Sequence, residues 1–165
     1  MAYLERDGVK ISYSDEGSGP AVLLSHGYSA TATMWRGQVA ALKDRFRIIT
    51  WDMRGHGQSD YPDDPAAYSE EATVADMAAI LDAVDARDAI IGGLSLGGYM
   101  SLAFHLAHPE RTRALLIIDT GPGYKKDEAR EGWNAYALKR ADRYDADGLG
   151  LLEKGTAETR TARHR

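Results

Sequence analysis

The first two thirds of the chain alternate short apolar runs with stretches of helical spacing. Residues 2–6 and 9–15 alternate apolar and polar positions, and the dipeptide Asp7-Gly8 between them is typical of a tight hairpin turn. A Gly- and Pro-containing loop is predicted at 16–20. Apolar runs predict four more strands, at 21–24, 47–51, 89–93 and 114–118.

Three stretches between these strands have the three- and four-residue spacing of helices. Residues 34–42 carry apolar positions at this spacing, and residues 69–84 give the clearest helix, with Ser69 as a suitable N-cap. A third helix is predicted over 96–107, ending before Pro109. Strands that alternate with helices predict an α/β fold: a doubly wound, mostly parallel sheet of about six strands with helices on both faces.

The pattern changes near residue 123. From Tyr124 onward the chain is charged and helical, with Trp133, Tyr136 and Arg140 along one face, and no strand-like run follows Ile118. We therefore expect a core over residues 1–123 and a separate helical segment over residues 124–165.

Composition narrows the classes of function. The 165 residues include 20 Lys and Arg against 25 Asp and Glu, a net charge of −5 that argues against a nucleic-acid partner. The chain has no Cys, which excludes disulfides, a thiolate nucleophile and Cys-based metal sites. No signal peptide or membrane-spanning run is visible, so we expect a cytoplasmic protein. We also expect a small-molecule substrate and no cofactor.

The strongest chemical signal is the segment 93–97, Gly-Leu-Ser-Leu-Gly, between a predicted strand and a predicted helix. A Ser at such a turn adopts strained backbone angles, and the flanking glycines remove side chains that would clash. Ser95 is then exposed at the start of a helix, where the N–H of Leu96 can stabilise an oxyanion. The alternative is a Gly-rich turn that only joins strand to helix.

Two further loops follow predicted strands. In residues 26–28, His-Gly-Tyr, the glycine can turn the N–H of Tyr28 toward the same pocket as Ser95, and we favour this interpretation over an ordinary buried loop. We interpret His26 as structural.

Residues 52–59, Asp-Met-Arg-Gly-His-Gly-Gln-Ser, form a tight loop that we also interpret as structural, because no second ligand stands at metal-binding spacing.

These motifs resemble those of the α/β-hydrolase fold superfamily over about residues 3–123. Three motifs carry the resemblance, at 25–28, 52–59 and 92–98. The resemblance implies that Ser95 is the nucleophile, that the N–H groups of Tyr28 and Leu96 form the oxyanion hole, and that Tyr124 begins a helical lid. A Ser at the elbow argues against dehalogenases and epoxide hydrolases, which use Asp there. Esterases, lipases, carbon–carbon bond hydrolases and perhydrolases stay open.

The resemblance also implies residues that are hard to find in this chain. The family places its acid after the sixth or seventh strand and its base His after the eighth, whereas residues 96–165 hold a single strand-like run. We expect the chain to stop within the lid and to lack the catalytic His. Asp119 is a candidate acid, although a turn residue suits that position equally well.

The leading interpretation is a serine hydrolase that acts on an ester or similar acyl substrate and is incomplete as given. Two alternatives remain: a non-catalytic binding or receptor module, and an inactive truncated fragment. A core that stops within a domain leaves a sheet edge unpaired, so self-association through that edge is expected.

Overall fold

The computed structural model describes residues 1–121 and 123–148. The chain divides into two compact units, Met1–Gly121 and Pro122–Arg165. The first unit carries all six strands of the sheet, and the described part of the second carries one long helix.

The first unit is built on one six-stranded sheet. Its strands are β1 (Ala2–Arg6), β2 (Val9–Gly17), β3 (Ala21–Ser25), β4 (Arg47–Trp51), β5 (Ala89–Leu94) and β6 (Thr112–Ile118). Their order is β1-β2-β4-β3-β5-β6, antiparallel for the β1–β2 and β2–β4 pairs and parallel for the other three. The predicted hairpin and the predicted mostly parallel α/β sheet are confirmed.

Helices cover both faces of this sheet. They are α1 (Arg36–Leu42), α2 (Glu70–Ala83) and α3 (Leu96–Ala107). Successive side chains of a strand point to opposite faces. Leu23 accordingly joins the larger apolar cluster with residues of α2 and α3, whereas Val22 and Leu24 pack with Trp35 on the opposite face. This two-sided burial explains why residues 21–24 form an uninterrupted apolar run.

Several predicted boundaries differ from the structure by one or two residues, and two of these differences have a visible cause. The segment 34–42 is not one helix, because a 3₁₀ turn at Ala32–Trp35 precedes α1. No residue of α1 is buried, and it is Trp35 in the preceding turn that enters the core. The loop predicted at 16–20 starts later, since Glu16 and Gly17 still pair with β4. Backbone pairing with a neighbouring strand, which side-chain pattern does not report, extends β2 to Gly17.

β6 forms one edge of the sheet. It pairs with β5 along one side, and no strand pairs with its other side within the described residues. Leu115, Leu116 and Ile117 are 36% to 44% exposed. An apolar strand with an unpaired edge is a surface that can accept another strand.

The second unit contains α4 (Asp127–Asp147), whose residues are exposed or half-buried. Arg140 lies over the rings of Tyr136 and Tyr144, and the Trp133 ring lies 5.7 Å from that of Tyr136. The predicted aromatic face is therefore present. Among the described helices, none is both long and apolar enough to cross a bilayer.

Candidate active site

Ser95 occupies the single-residue turn between β5 and α3. Its backbone angles are φ 51° and ψ −113°, in a region that residues other than glycine rarely adopt. Such a conformation costs on the order of 1–3 kcal/mol and persists only where the surrounding contacts hold it. The predicted tight turn at Ser95 is confirmed.

Glycines at 93 and 97 allow this turn because the backbone passes too close for any side chain. A Cβ on Gly93 would lie 2.3 Å from the carbonyl carbon of Gly97. A Cβ on Gly97 would lie 2.2 Å from the carbonyl oxygen of Ser25 and 2.6 Å from that of His26. The start of α3 therefore packs directly on the backbone at the end of β3.

Hydrogen bonds hold both backbone groups of Ser95. Its N–H donates to the carbonyl oxygen of Ile118 over 3.0 Å, and its carbonyl oxygen accepts from the Tyr99 N–H over 3.0 Å. The same carbonyl accepts from the Thr120 hydroxyl over 2.6 Å. The strained conformation is thus fixed from α3 and from the end of β6.

The loop that follows β3 lies against the Ser95 turn. A Cβ on Gly27 would lie 3.7 Å from the Cβ of Ser95 and 3.4 Å from the carbonyl oxygen of Leu94. Leu96 is the first residue of α3, where helix geometry offers its N–H no intrahelical acceptor and the helix dipole favours negative charge. The structure therefore brings His26 and Gly27 beside the start of α3, and the convergence of the Tyr28 and Leu96 N–H groups remains a prediction.

His26 is buried, and both ring nitrogens are engaged. The Met53 N–H donates to Nε2 over 3.0 Å, which leaves the ring proton on Nδ1, and Nδ1–H donates to the Gly27 carbonyl over 2.8 Å. Burial lowers the pKa of His26 from its usual 6.5 to about 4. His26 therefore stays neutral near pH 7 and cannot take a proton from Ser95 without losing these contacts.

We expect His26 to make the fold acid-sensitive. The unfolded chain takes up a proton below pH 6.5, and the folded chain only near pH 4. The contribution of neutral His26 to the free energy of unfolding is therefore fully present above pH 6.5. This contribution of about 3 kcal/mol is lost as the pH falls toward 4. Urea unfolding at several pH values should show this loss in the wild type and a flatter profile in His26→Asn. His108→Gln is the control, and an identical profile in His26→Asn and the wild type would contradict the prediction.

The loop at 52–59 is braced by its own polar side chains. The Asp52 carboxylate accepts from the N–H groups of Ala32 and Gln58 over 2.7 and 3.0 Å. Gly57 has to be glycine, because its φ is 54° and a Cβ would lie 2.2 Å from Oδ2 of Asp52. Ser59 donates to the Asp52 carbonyl over 2.6 Å and accepts from the Ser12 N–H over 2.8 Å. These contacts agree with the structural interpretation of the loop.

Arg54 anchors this loop to α2 through a contact that the sequence pattern did not indicate. Its guanidinium donates to both carboxylate oxygens of Asp76 over 2.7 and 2.9 Å. Arg6 of β1 donates to the same carboxylate over 2.6 Å. Asp76 is fully buried and Arg54 nearly so. Hydrogen bonding to Asp76 raises the pKa of Arg54 above its usual value. The apolar periodicity of residues 69–84 gave no signal of this buried carboxylate.

Comparison with known proteins supplies the family. Residues 20–158 match the family described as the alpha/beta hydrolase fold. The chain belongs to the α/β-hydrolase fold family.

Several named relatives in this family are hydrolases. The chain is 33% identical over 153 residues to 3-oxoadipate enol-lactonase 1 of Acinetobacter baylyi, across 92% of this chain and 54% of the lactonase. It is 36% identical over 118 residues to bifunctional epoxide hydrolase 2 of Sus scrofa, across 71% of this chain and 21% of that protein. A thermophilic esterase from Thermogutta terrifontis has a TM-score of 0.78 at 31% identity, across 92% of this chain and 54% of the esterase. The chain thus spans about half of the lactonase and of the esterase, and about a fifth of the epoxide hydrolase.

The base and the acid that an α/β-hydrolase triad adds to its serine are not identified among the described residues. Within residues 1–121 and 123–148, no hydrogen bond links the Ser95 hydroxyl to a histidine. Asp119 follows β6 directly, with φ 47° and an exposed side chain, one residue beyond the carbonyl that holds the Ser95 N–H. No ion pair or hydrogen bond in the described part of the chain engages its carboxylate. The role of Asp119 as the acid remains a prediction.

A groove of about 270 Å³ lies elsewhere on this α/β-hydrolase unit, between α1 and the strands β2 and β4. Its lining includes Tyr13, Val39 and Thr50, and it contains none of the residues at the Ser95 turn. We do not assign it to the substrate. In the part of the chain that the structure describes, no group of three or more His, Cys, Asp or Glu side chains could hold a metal ion.

Proposed function

We propose that this chain carries the nucleophile and the oxyanion hole of a serine hydrolase that acts on an ester or a similar acyl substrate. The observation that carries the proposal is the strained conformation of the exposed Ser95 at the start of α3, with Gly27 of the loop after β3 beside it. In the proposal, this arrangement presents the Ser95 hydroxyl beside the N–H groups of Tyr28 and Leu96, as acyl transfer requires.

In the proposed mechanism the Ser95 Oγ attacks the acyl carbon and a base accepts its proton. The N–H groups of Tyr28 and Leu96 donate to the oxyanion of the tetrahedral intermediate. The base returns the proton to the alcohol as it leaves, and an acyl-enzyme remains on Ser95. Water, which gives a proton to the same base as it attacks, then hydrolyses the acyl-enzyme. His26 is excluded as the base by its two hydrogen bonds. Within the described residues no hydrogen bond joins the Ser95 hydroxyl to His56, His105 or His108 either, so the proposal draws the base from outside those residues.

The serine at position 95 and the named relatives together support an ester as the substrate class. A serine nucleophile forms an acyl-enzyme, and esters and lactones both react through that intermediate. One relative is named an enol-lactonase and another an esterase. The similarity to an epoxide hydrolase is compatible with a shared fold, because the function of a fold is decided by the groups at its site.

We expect a fluorophosphonate probe to modify Ser95 in the 165-residue chain, slowly, and to leave Ser95→Ala unmodified. Loss of a triad member typically leaves only about 10³–10⁴-fold catalysis over water. Hydrolysis of p-nitrophenyl acetate should therefore be close to background in both chains. Peptide mass spectrometry after labelling and absorbance assays measure the two effects.

Ser18→Ala, which removes an exposed serine from a loop, is the control and should be labelled like the wild type. Labelling at another residue, or none at all, would contradict the nucleophile and favour a binding module. Rapid ester turnover that disappears in Ser95→Ala would instead show that the chain holds its own base.

A further inference from the structure

Thr120, two residues beyond the end of β6, touches the Ser95 turn in two ways. Its hydroxyl donates to the Ser95 carbonyl oxygen over 2.6 Å. Its methyl carbon Cγ2 lies 2.4 Å from where a Cβ on Gly98 would be, so the absence of a side chain at 98 gives Thr120 its place. The Ser95 carbonyl also accepts from the Tyr99 N–H, and these two donors use both of its lone pairs.

The carbonyl that Thr120 holds shares a peptide unit with one donor of the proposed oxyanion hole. The Ser95 C=O and the Leu96 N–H belong to the same peptide unit, which is planar and trans. The direction of the carbonyl therefore fixes the direction of the N–H, which points the opposite way. ψ of Ser95 is −113°, and this angle sets the orientation of that peptide unit.

Contacts within α3 are not the only ones that fix the orientation of this peptide unit. The Tyr99 N–H is the only donor that the helix's own first turn offers to the Ser95 carbonyl. The Thr120 hydroxyl approaches from β6, outside the helix, at the shorter distance. Strained backbone persists where several independent contacts agree on it. Thr120 supplies the contact that is independent of α3.

We propose that Thr120 is a positioning residue whose hydroxyl aims the Leu96 N–H at the oxyanion. This inference rests on the proposed role of Ser95 as the nucleophile. Thr120 does not contact the reacting atoms and acts through the Ser95–Leu96 peptide unit. Loss of the hydroxyl frees that unit to rotate, which turns the N–H away from the developing charge.

The test compares three variants of the 165-residue chain. Thr120→Val keeps the shape and removes the hydroxyl, whereas Thr120→Ser keeps the hydroxyl and removes the methyl. Thr112→Val is the matched control, because the Thr112 hydroxyl donates to the His108 carbonyl at the opposite end of β6. The measurements are the second-order rate constant for fluorophosphonate modification of Ser95 and the carbonyl ¹³C chemical shift of Ser95.

We expect Thr120→Val to react roughly fivefold more slowly, the factor that corresponds to one ordinary hydrogen bond, and to shift the Ser95 carbonyl resonance. Thr120→Ser should recover the wild-type rate and resonance, and Thr112→Val should change neither. A wild-type rate and resonance in Thr120→Val would overturn the proposal. So would a Thr120→Ser variant as slow as Thr120→Val, because the hydroxyl would then not be the group that matters.

Failure of the nucleophile proposal gives a different result. If the probe modifies Ser95 in none of the chains, Ser95 is not the nucleophile, and the carbonyl resonance decides the role of Thr120. A resonance that changes in Thr120→Val and returns in Thr120→Ser supports Thr120 as the group that holds the turn. An unchanged resonance overturns it.

Discussion

Replacing Asp76 by asparagine is expected to lower the free energy of unfolding by about 3–5 kcal/mol. The substitution keeps the size of the side chain and removes the charge that two arginines share. Arg54 stays buried with no compensating carboxylate, and an uncompensated buried charge is costly. Urea denaturation at pH 7 measures the loss.

Asp82→Asn is the matched control because Asp82 stands on the same helix α2 and also pairs with an arginine. Asp82 is 68% exposed and binds Arg111 over 2.7 Å. An exposed pair of this kind is worth about 1 kcal/mol or less, so the control should unfold almost like the wild type. Equal losses in the two variants would mean that Arg54 finds another partner when Asp76 is neutral.

Gly97→Ala is expected to destabilise the chain by about 2–3 kcal/mol and to abolish phosphonate labelling of Ser95. The new Cβ would lie 2.2 Å from the Ser25 carbonyl oxygen, so α3 has to move away from the end of β3. Forcing extra volume into a packed site typically costs about 1–3 kcal/mol. The movement also displaces the Leu96 N–H from the loop at 26–28.

Gly37→Ala is the matched control, because it adds the same methyl group at a position where there is room for it. Gly37 lies in α1, and a Cβ added there would meet no other atom within 4 Å. Alanine favours a helix over glycine by up to about 1 kcal/mol, so this control should be stabilised. Opposite signs in the two variants would attribute the effect of Gly97→Ala to the close approach of β3. A stable, normally labelled Gly97→Ala chain would refute that explanation.

The features that the sequence predicted are those encoded within a few neighbouring residues. The hairpin turn follows from Asp7 and Gly8, which both adopt positive φ. The start of α2 follows from Ser69, whose hydroxyl accepts from the Ala72 N–H. The turn at 93–97 is likewise a local pattern of glycines around a serine. Each of these depends on backbone angles and caps that nearby side chains decide.

The features that the sequence did not predict depend on residues far apart in the chain. Asp76 is 22 residues from Arg54 and 70 from Arg6, and no periodicity reports that the three meet. Thr120 follows an apolar run as an ordinary turn residue would, and its contact with Ser95 appears only when β6 lies beside β5. Such pairings are set by the sheet order and by packing, which single-sequence patterns do not contain.

The contacts at the end of β6 also set an order of events during synthesis. Thr120 is 25 residues after Ser95, so the ribosome completes β5, α3 and β6 before it adds the residue whose hydroxyl binds the Ser95 carbonyl. Local helical structure forms quickly, whereas strand pairing over longer separations is slower. The strained serine turn is therefore among the last parts of this unit to mature, and a nascent chain acquires it only when β6 docks on β5.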